Sequence, residues 1–206
     1  MADNSKIETL EALSALYGPA NPNSLAKETP HLTPEYRKWI EASSFFALAS
    51  IGSGGLDCSP RGDAKGQAFQ VVDTKTLVIP DRRGNNRLDT LKNIIADSRV
   101  ALLFLVPGIN ETLRINGTAH ITADLKILEL FTIQNKLPVS AIVVHIETVY
   151  FQCARALKRA QLWEISSQIS KNEVPTAGQM STGAQTDFDA EAYDGGLQAR
   201  QARTLY

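Results

Sequence analysis

Short strand-like segments fill the chain from Phe45 onward and constrain its fold more than any other feature. Each is rich in aliphatic, aromatic or β-branched residues, and Gly, Pro, Asp or Asn separates it from the next. Short strands that follow one another closely pair most readily as antiparallel neighbours, so the pattern predicts a mainly β domain. The segments are FFALASIG, AFQVV, TLVIP, RVALLFLVP, TLRINGTAHI and AIVVHIETVYFQC.

Alternation within two of these segments refines the prediction. In TLRINGTAHI, Leu113, Ile115, Ala119 and Ile121 alternate with polar residues, which predicts one core face and one polar face. In AIVVHIETVYF both faces are largely apolar, which suits a strand covered on both sides, in a closed barrel or at a subunit contact. The strands therefore predict a β-barrel and hint at a dimer.

Helical patterns flank and interrupt the strands. Thr33 is a suitable cap for one of them, and Pro34 suits its first position. We expect an N-terminal helical extension over residues 1–44 with a loop at 18–33, a β domain over 45–163, and an extended tail over 164–206. The predicted helices lie around residues 7–17, 34–44, 88–95 and 125–131.

Composition excludes several classes of protein. The 206 residues are 43% hydrophobic and 21% charged with a formal net charge of −1, which does not indicate a nucleic-acid partner. No stretch approaches the roughly 20 apolar residues of a membrane span, and the polar N-terminus does not resemble a signal peptide, so we expect a cytoplasmic protein. Cys58 and Cys153 are far apart and suggest structural thiols, with neither a disulfide nor a metal site.

Positive charge is concentrated where the predicted helix over residues 88–95 begins, in LVIPDRRGNNRLDTLKNII. We call residues 81–88 the arginine turn; it includes Arg82, Arg83, Gly84, Asn85, Asn86 and Arg87. The pattern predicts a helix that starts near Asn86 or Arg87, and a helix N-terminus beside arginines favours a phosphate or a carboxylate. Two alternatives remain open: Asn85 or Asn86 caps the helix, or the turn is a solvated charged loop.

A second polar cluster, DCSPRGDAKG, precedes the arginine turn. It places Arg61, Asp63 and Lys65 among small residues between two strands, where backbone groups could contact a flat ligand. Taken alone, the stretch is a charged hairpin loop.

The order of these motifs resembles a known family. FFALASIGSGGLDCSPRGDAKG, the segment with the arginine turn, ETLRINGTAHIT and VYFQCARALKRAQLW together resemble the pyridoxamine 5'-phosphate oxidase-related, FMN-binding split-barrel proteins, and the branch with a PRGD loop and a GNNR turn in particular. The resemblance covers roughly residues 33–163. It implies an antiparallel Greek-key split barrel that binds FMN at the interface of a homodimer.

The resemblance also implies positions for the cofactor. Arg87 and Asn86 would hold the FMN phosphate, with Arg82 and Asn85 nearby. Thr112 and Arg114 correspond to a strand position that reaches the cofactor. The residues that would border the ring system or the ribityl chain are Ser59, Arg61, Gly62, Asp63, Ile79, Pro80 and Asp81.

The C-terminal motif with Arg159 and Trp163 would complete the site of the partner subunit. These two residues would share one face if their segment is helical, although Trp163 could equally be a core residue. The tail contains no arginine motif like the one with which pyridoxamine 5'-phosphate oxidases hold the substrate phosphate, so the resemblance does not extend to the vitamin B6 reaction. It also lacks the C-terminal histidine of the haem-degrading relatives, since His31, His120 and His145 all lie outside it. We interpret His120 and His145 as structural.

The function implied is an FMN-dependent oxidoreductase that acts on a small organic substrate, with no catalytic residue assigned. The alternatives are a non-catalytic flavin-storage or flavin-sensing module and a reductase that uses a deazaflavin.

Overall fold

A seven-stranded antiparallel sheet forms the centre of the computed structural model, which describes residues 6–205. The strand order is β2-β1-β5-β6-β7-β4-β3. The mainly β architecture predicted from the sequence is confirmed. The strands are β1 (Phe45–Gly52), β2 (Gly55–Gly62), β3 (Gln70–Val71), β4 (Thr76–Asp81), β5 (Arg99–Leu105), β6 (Thr112–Thr122) and β7 (Ser140–Gln152).

Strand β2 corrects the interpretation of the PRGD stretch as a hairpin loop. It pairs with β1 along its whole length, from the Phe45–Gly62 pair to the Gly52–Gly55 pair. Pro60 is tolerated because β2 is an edge strand, where a missing N–H removes no ladder bond. The alternation of exposed and half-buried residues in LDCSPR is therefore a strand signal that the charged residues obscured.

Strands β6 and β7 form the longest ladder of the sheet. Leu113, Ile115 and Ala119 are buried, which confirms the predicted core face of β6. A bulge at Gly117 lets the two backbones approach closely, because a Cβ atom there would collide with the carbonyl of His145. The bulge bends the ladder and helps the sheet to curve around its core.

Three aromatic residues pack against one another in the core of the barrel. Phe46 and Phe104 stack with ring centroids 4.8 Å apart, and Phe69 meets both rings edge-on. Each such ring stabilises the fold by about 1.5–3 kcal/mol through burial. Ile94, from the helix over residues 89–96, joins this core.

Helices lie around the sheet. Thr33 accepts a hydrogen bond from the Tyr36 N–H at the start of the third helix, which confirms the predicted cap. One helix falls in the segment predicted to be a loop, because Asn21 caps it and Pro22 begins it. The helices are α1 (Leu10–Tyr17), α2 (Pro22–Ala26), α3 (Pro34–Ile40), α4 (Asp89–Ala96), α5 (Leu125–Leu128), α6 (Arg155–Ala160), α7 (Ala177–Ala184) and α8 (Ala190–Thr204).

The extended conformation predicted for the C-terminal tail is wrong for much of its length, since α7 and α8 occupy it. The Asp194 carboxylate joins the two helices by accepting hydrogen bonds from the Gly178 N–H at 2.8 Å and from the Thr176 hydroxyl. Gly178 is needed there because a Cβ atom would collide with Asp194. The alanine-rich composition and the caps Thr176 and Asp189 favour helices, whereas the polar bias suggested an extended chain. The domain boundaries remain predictions.

Three further features concern the described residues as a whole. None of the helices within residues 6–205 is both long and apolar enough to cross a membrane. In the same residues, no group of three or more His, Cys, Asp or Glu side chains could hold a metal ion. Cys58 and Cys153 are exposed free thiols.

Candidate anion-binding cavity

A cavity of about 1150 Å³ opens beside the arginine turn. One wall combines the inner face of β2, the arginine turn and the first residues of α4. A second part of the lining consists of Ile133 and residues 136–140, and we call residues 133–140 the facing segment. The pairing of Asp81 with Ser140 at the end of the β4–β7 ladder brings the two walls together.

Part of the predicted cofactor site lines this cavity. The order of the sheet places β2 at one edge and β4 next to the other edge, and curvature of the barrel brings both to the same opening. The predicted residues that meet there are Ser59, Arg61, Asp81, Arg82, Asn85, Asn86 and Arg87. Their contacts with a cofactor remain predictions.

The other predicted positions do not line the cavity within one chain. Arg114 donates hydrogen bonds to the Tyr150 hydroxyl at 2.9 Å and to Gln152 at 3.3 Å. The Trp163 indole donates to the Ile109 carbonyl at 2.8 Å. Helix α6 ends at Ala160, so Arg159 and Trp163 do not share a helical face. The remaining positions outside the lining are Gly62, Asp63, Ile79, Pro80 and Thr112, of which the last three are buried.

The backbone of the arginine turn differs from the prediction. Helix α4 begins at Asp89, two or three residues later than expected, and its N-cap residue Leu88 makes no side-chain cap. Asn86 and Leu88 both have a φ of 59°, an unusual left-handed conformation for residues other than glycine. Asn85 accepts a hydrogen bond from the Arg87 N–H at 3.1 Å. The idea that Asn85 or Asn86 caps the helix is therefore wrong, and the N–H groups of its first turn have no side-chain cap.

Arg82 is a brace between parts of the fold. Its guanidinium lies 2.9 Å from the Asp63 carboxylate and donates to the Phe131 carbonyl at 2.7 Å. The Asp63 side chain is only 4% exposed, so this pair is largely shielded from water. The Arg82 side chain therefore connects the arginine turn to two other places in the chain: Asp63, just after β2, and Phe131, a few residues after α5.

Arg61 also lines the cavity, and its guanidinium lies 3.3 Å from the Asp81 carboxylate. Its Nε atom is buried and has no hydrogen-bond partner in the described part of the chain. A buried donor without a partner is costly, which favours a ligand acceptor at this point.

Arg83 and Arg87 face solvent at the cavity rim. Arg87 pairs with Asp89 at 2.8 Å, and the hydrogen bond and charge of Asp89 raise the pKa of Arg87 above its usual value. Arg83 is exposed and forms no ion pair within residues 6–205. Both residues line the cavity together with the uncapped start of α4, where the helix dipole favours an anion.

Sequence reasoning missed several cavity residues. Thr90 is buried, and its hydroxyl lies 3.0 Å from the Ser59 hydroxyl, which connects α4 to β2. Asp57 also lies in the cavity wall. The facing segment carries a local signal, since Gln134 and Asn135 adopt left-handed turn conformations, but only the β4–β7 pairing places its end beside the arginine turn.

The fold and the cavity define a class: an antiparallel β barrel with flanking helices and a basic cavity at the start of a helix. The model of the pyridoxamine 5'-phosphate oxidase family matches residues 32–153, which is more than half of the chain. The chain belongs to this family, and the predicted split-barrel fold is confirmed.

Solved structures similar to this chain share little sequence with it. The Group A Streptococcus protein HupZ is 18% identical, with a TM-score of 0.47 over 57% of this chain and 91% of that chain. A putative pyridoxamine 5'-phosphate oxidase from Lactobacillus delbrueckii is 22% identical, with a TM-score of 0.46 over 59% and 95%. An FAD binding protein from Mycobacterium smegmatis is 12% identical, with a TM-score of 0.41 over 60% and 97%. No curated protein sequence matches the chain.

Proposed function

We propose that this protein is an FMN-dependent oxidoreductase that acts on a small organic substrate as a homodimer. Membership of the pyridoxamine 5'-phosphate oxidase family supports the class of reaction. The observation that carries the proposal is the pair of exposed arginines, Arg83 and Arg87, beside the uncapped N-terminus of α4 in one cavity. A phosphate monoester matches such a site because it accepts several charge-assisted hydrogen bonds at once.

The residues of the cavity fit the remainder of a flavin mononucleotide. The buried Nε of Arg61 offers a donor to a polar atom of the ligand, and the Ser59 and Thr90 hydroxyls lie together in the same wall. Gly84, in the arginine turn, leaves the backbone open to close approach. The cavity volume of about 1150 Å³ is ample for the cofactor.

When bound, FMN supplies the transfer of an electron pair to or from the substrate. The residues of the chain hold and orient it. Arg83 and Arg87 bind the phosphate, Arg61 donates to the polar part of the ligand, and the Arg82–Asp63 brace keeps the arginine turn in place. No residue is assigned as a general acid or base.

A homodimer gives a role to three of the predicted positions outside the cavity. Arg114, Arg159 and Trp163 do not line it within their own chain, and we assign them to the site of the partner subunit. Measurement of the molar mass in solution tests this assignment, and a single-chain mass near 22.5 kDa with FMN bound would contradict it.

The test of the cofactor is the absorbance spectrum of the purified protein with and without added FMN, followed by mass spectrometry of the released ligand. A flavin spectrum, with FMN released on denaturation, is the expected result. A colourless protein that takes up no added FMN would overturn the proposal. A titration with deazaflavin in parallel separates the two cofactors, and we expect tighter binding of FMN.

A non-catalytic flavin-binding protein is the second candidate. None of the described residues that line the cavity is a histidine, so the commonest proton-transfer residue is missing from them. This candidate predicts bound FMN without turnover. Rapid reoxidation of the bound flavin after reduction by a nicotinamide cofactor would contradict it and support the oxidoreductase.

A further inference from the structure

The facing segment gives the cavity a second wall of different chemistry. Pro138 is buried, whereas Leu137 and Val139 are exposed, Val139 to 86%. Lys136 adds a cation to this apolar wall. Such a combination matches a ligand with an apolar body and an anionic group.

The backbone holds the facing segment in a defined position. The N–H of Ile133 donates to the Lys136 carbonyl at 3.1 Å, and the N–H of Lys136 donates back to the Ile133 carbonyl at 2.9 Å. Gln134 and Asn135 form the left-handed turn between them. The hydrogen bond from Arg82 to the carbonyl of Phe131, two residues before the facing segment, holds the start of this segment close to the arginine turn.

The cavity is larger than a typical pocket for one ligand. Its volume of about 1150 Å³ exceeds the roughly 300–1,000 Å³ typical of a pocket for one drug-sized ligand. Its charge is also uneven, since five basic side chains line it against three acidic ones. Arg83 and Arg87 stand at the arginine turn, while Lys136 lies on the facing segment, so anionic groups can be bound at both walls.

We infer that the facing segment binds the substrate, and that this substrate is a carboxylate with an apolar body. Lys136 pairs with the carboxylate, and Leu137 and Val139 cover the apolar body. This inference rests on the proposed function, because it assigns the arginine turn to FMN and leaves the facing segment to the second ligand.

Calorimetric titration of the FMN-loaded protein with 2-naphthoate tests this inference, with the neutral 2-naphthamide as the matched probe. We expect 2-naphthoate to bind roughly tenfold more tightly than the amide, as one charge-assisted contact would give. The Lys136→Gln variant should remove this preference. The Val139→Ser variant should weaken both probes roughly threefold or more through lost apolar contact.

The control variant is Ile95→Ser, which changes an aliphatic residue that is 79% exposed on α4 and lies outside the cavity lining. It should leave both probes unaffected. Equal binding of 2-naphthoate to the wild type and to Lys136→Gln, or no binding to the wild type, would overturn the inference. A fall to the mass of one chain in either variant would assign the facing segment to contact between copies and would also overturn it.

Separate measurement of FMN affinity distinguishes this inference from the proposed function. Both variants should bind FMN as the wild type does. If FMN does not bind but the naphthoate preference is present and depends on Lys136, the proposal of FMN is wrong and the assignment of the facing segment to the substrate is supported. If FMN binds and the naphthoate preference is absent, the proposal of FMN is supported and the assignment of the facing segment is wrong.

Discussion

Arg82 and Arg87 lie five residues apart in one turn, but their side chains differ in solvent exposure. The Arg82 side chain is 19% exposed and pairs with a carboxylate that is almost fully buried. The Arg87 side chain is 74% exposed and pairs with Asp89 at the surface. Both ion pairs have nearly the same length, 2.9 and 2.8 Å.

The difference between the two arginines is one of solvent access. A buried ion pair is strongly destabilised when one partner is removed, because the remaining charge has lost its water as well. An exposed pair contributes little to stability, and its cation can exchange a carboxylate for a ligand phosphate at small cost. Arg82 is therefore expected to act on the fold, and Arg87 on the ligand.

The largest expected effect is on stability, in Arg82→Ala. We expect a loss of about 2–3 kcal/mol in the free energy of unfolding, because the Asp63 carboxylate stays buried without this partner. Urea unfolding measures it. The double variant Asp63→Ala with Arg82→Ala should recover part of the loss, and a single variant as stable as the wild type would contradict the role of a brace.

The second effect is on the ligand, in Arg87→Ala. FMN affinity should fall roughly tenfold through loss of a charge-assisted contact, while the urea midpoint stays near that of the wild type. Fluorescence titration of FMN measures the affinity. Arg99→Ala is the matched control, since Arg99 is also an exposed, ion-paired arginine but lies outside the cavity lining. An equal effect of both variants would remove the distinction between Arg87 and other surface arginines.

A smaller effect concerns the backbone at the exposed end of the arginine turn. Leu88 has a φ of 59° and is about half exposed, so Leu88→Gly should relieve strain with little loss of packing. We expect the free energy of unfolding to rise by roughly 0.5–1 kcal/mol. In Lys92→Gly, within α4, it should fall by about 1 kcal/mol. A loss of stability in Leu88→Gly would show that the left-handed geometry costs nothing here.

The smallest effect tests an exposed pair with no ligand role. The hydrogen bonds from Arg99 lower the pKa of Asp97 from its ordinary 3.8 to about 2. Because the pKa of Asp97 is lower in the folded state than in the unfolded chain, its ion pair stabilises the fold at any pH above the unfolded-state pKa of 3.8. This contribution disappears as the pH falls from 3.8 towards 2. Melting temperatures of the wild type and Asp97→Asn should therefore differ slightly at pH 7 and converge near pH 2. A constant difference would mean that this carboxylate does not titrate in that range.

Much of the fold and part of the site could be predicted from local sequence. The alternation in TLRINGTAHI identified the core face of β6, and Thr33 identified the start of α3. Strand β2 was missed because the charges of PRGD resemble a loop, although its alternation is regular. The helices of the tail were missed because a polar composition suggested an extended chain.

By itself the sequence determined the order of the strands along the chain, the family resemblance and the concentration of arginines before α4, since all of these are properties of neighbouring residues. The tertiary structure decided which arginine is buried against Asp63, which arginine stays exposed, and that the facing segment lines the same cavity as the arginine turn. The physical reason is that solvent access and ion-pair partners depend on residues far apart in sequence. The pairing of β4 with β7, for example, places Asp81 next to Ser140, and no local pattern specifies this contact.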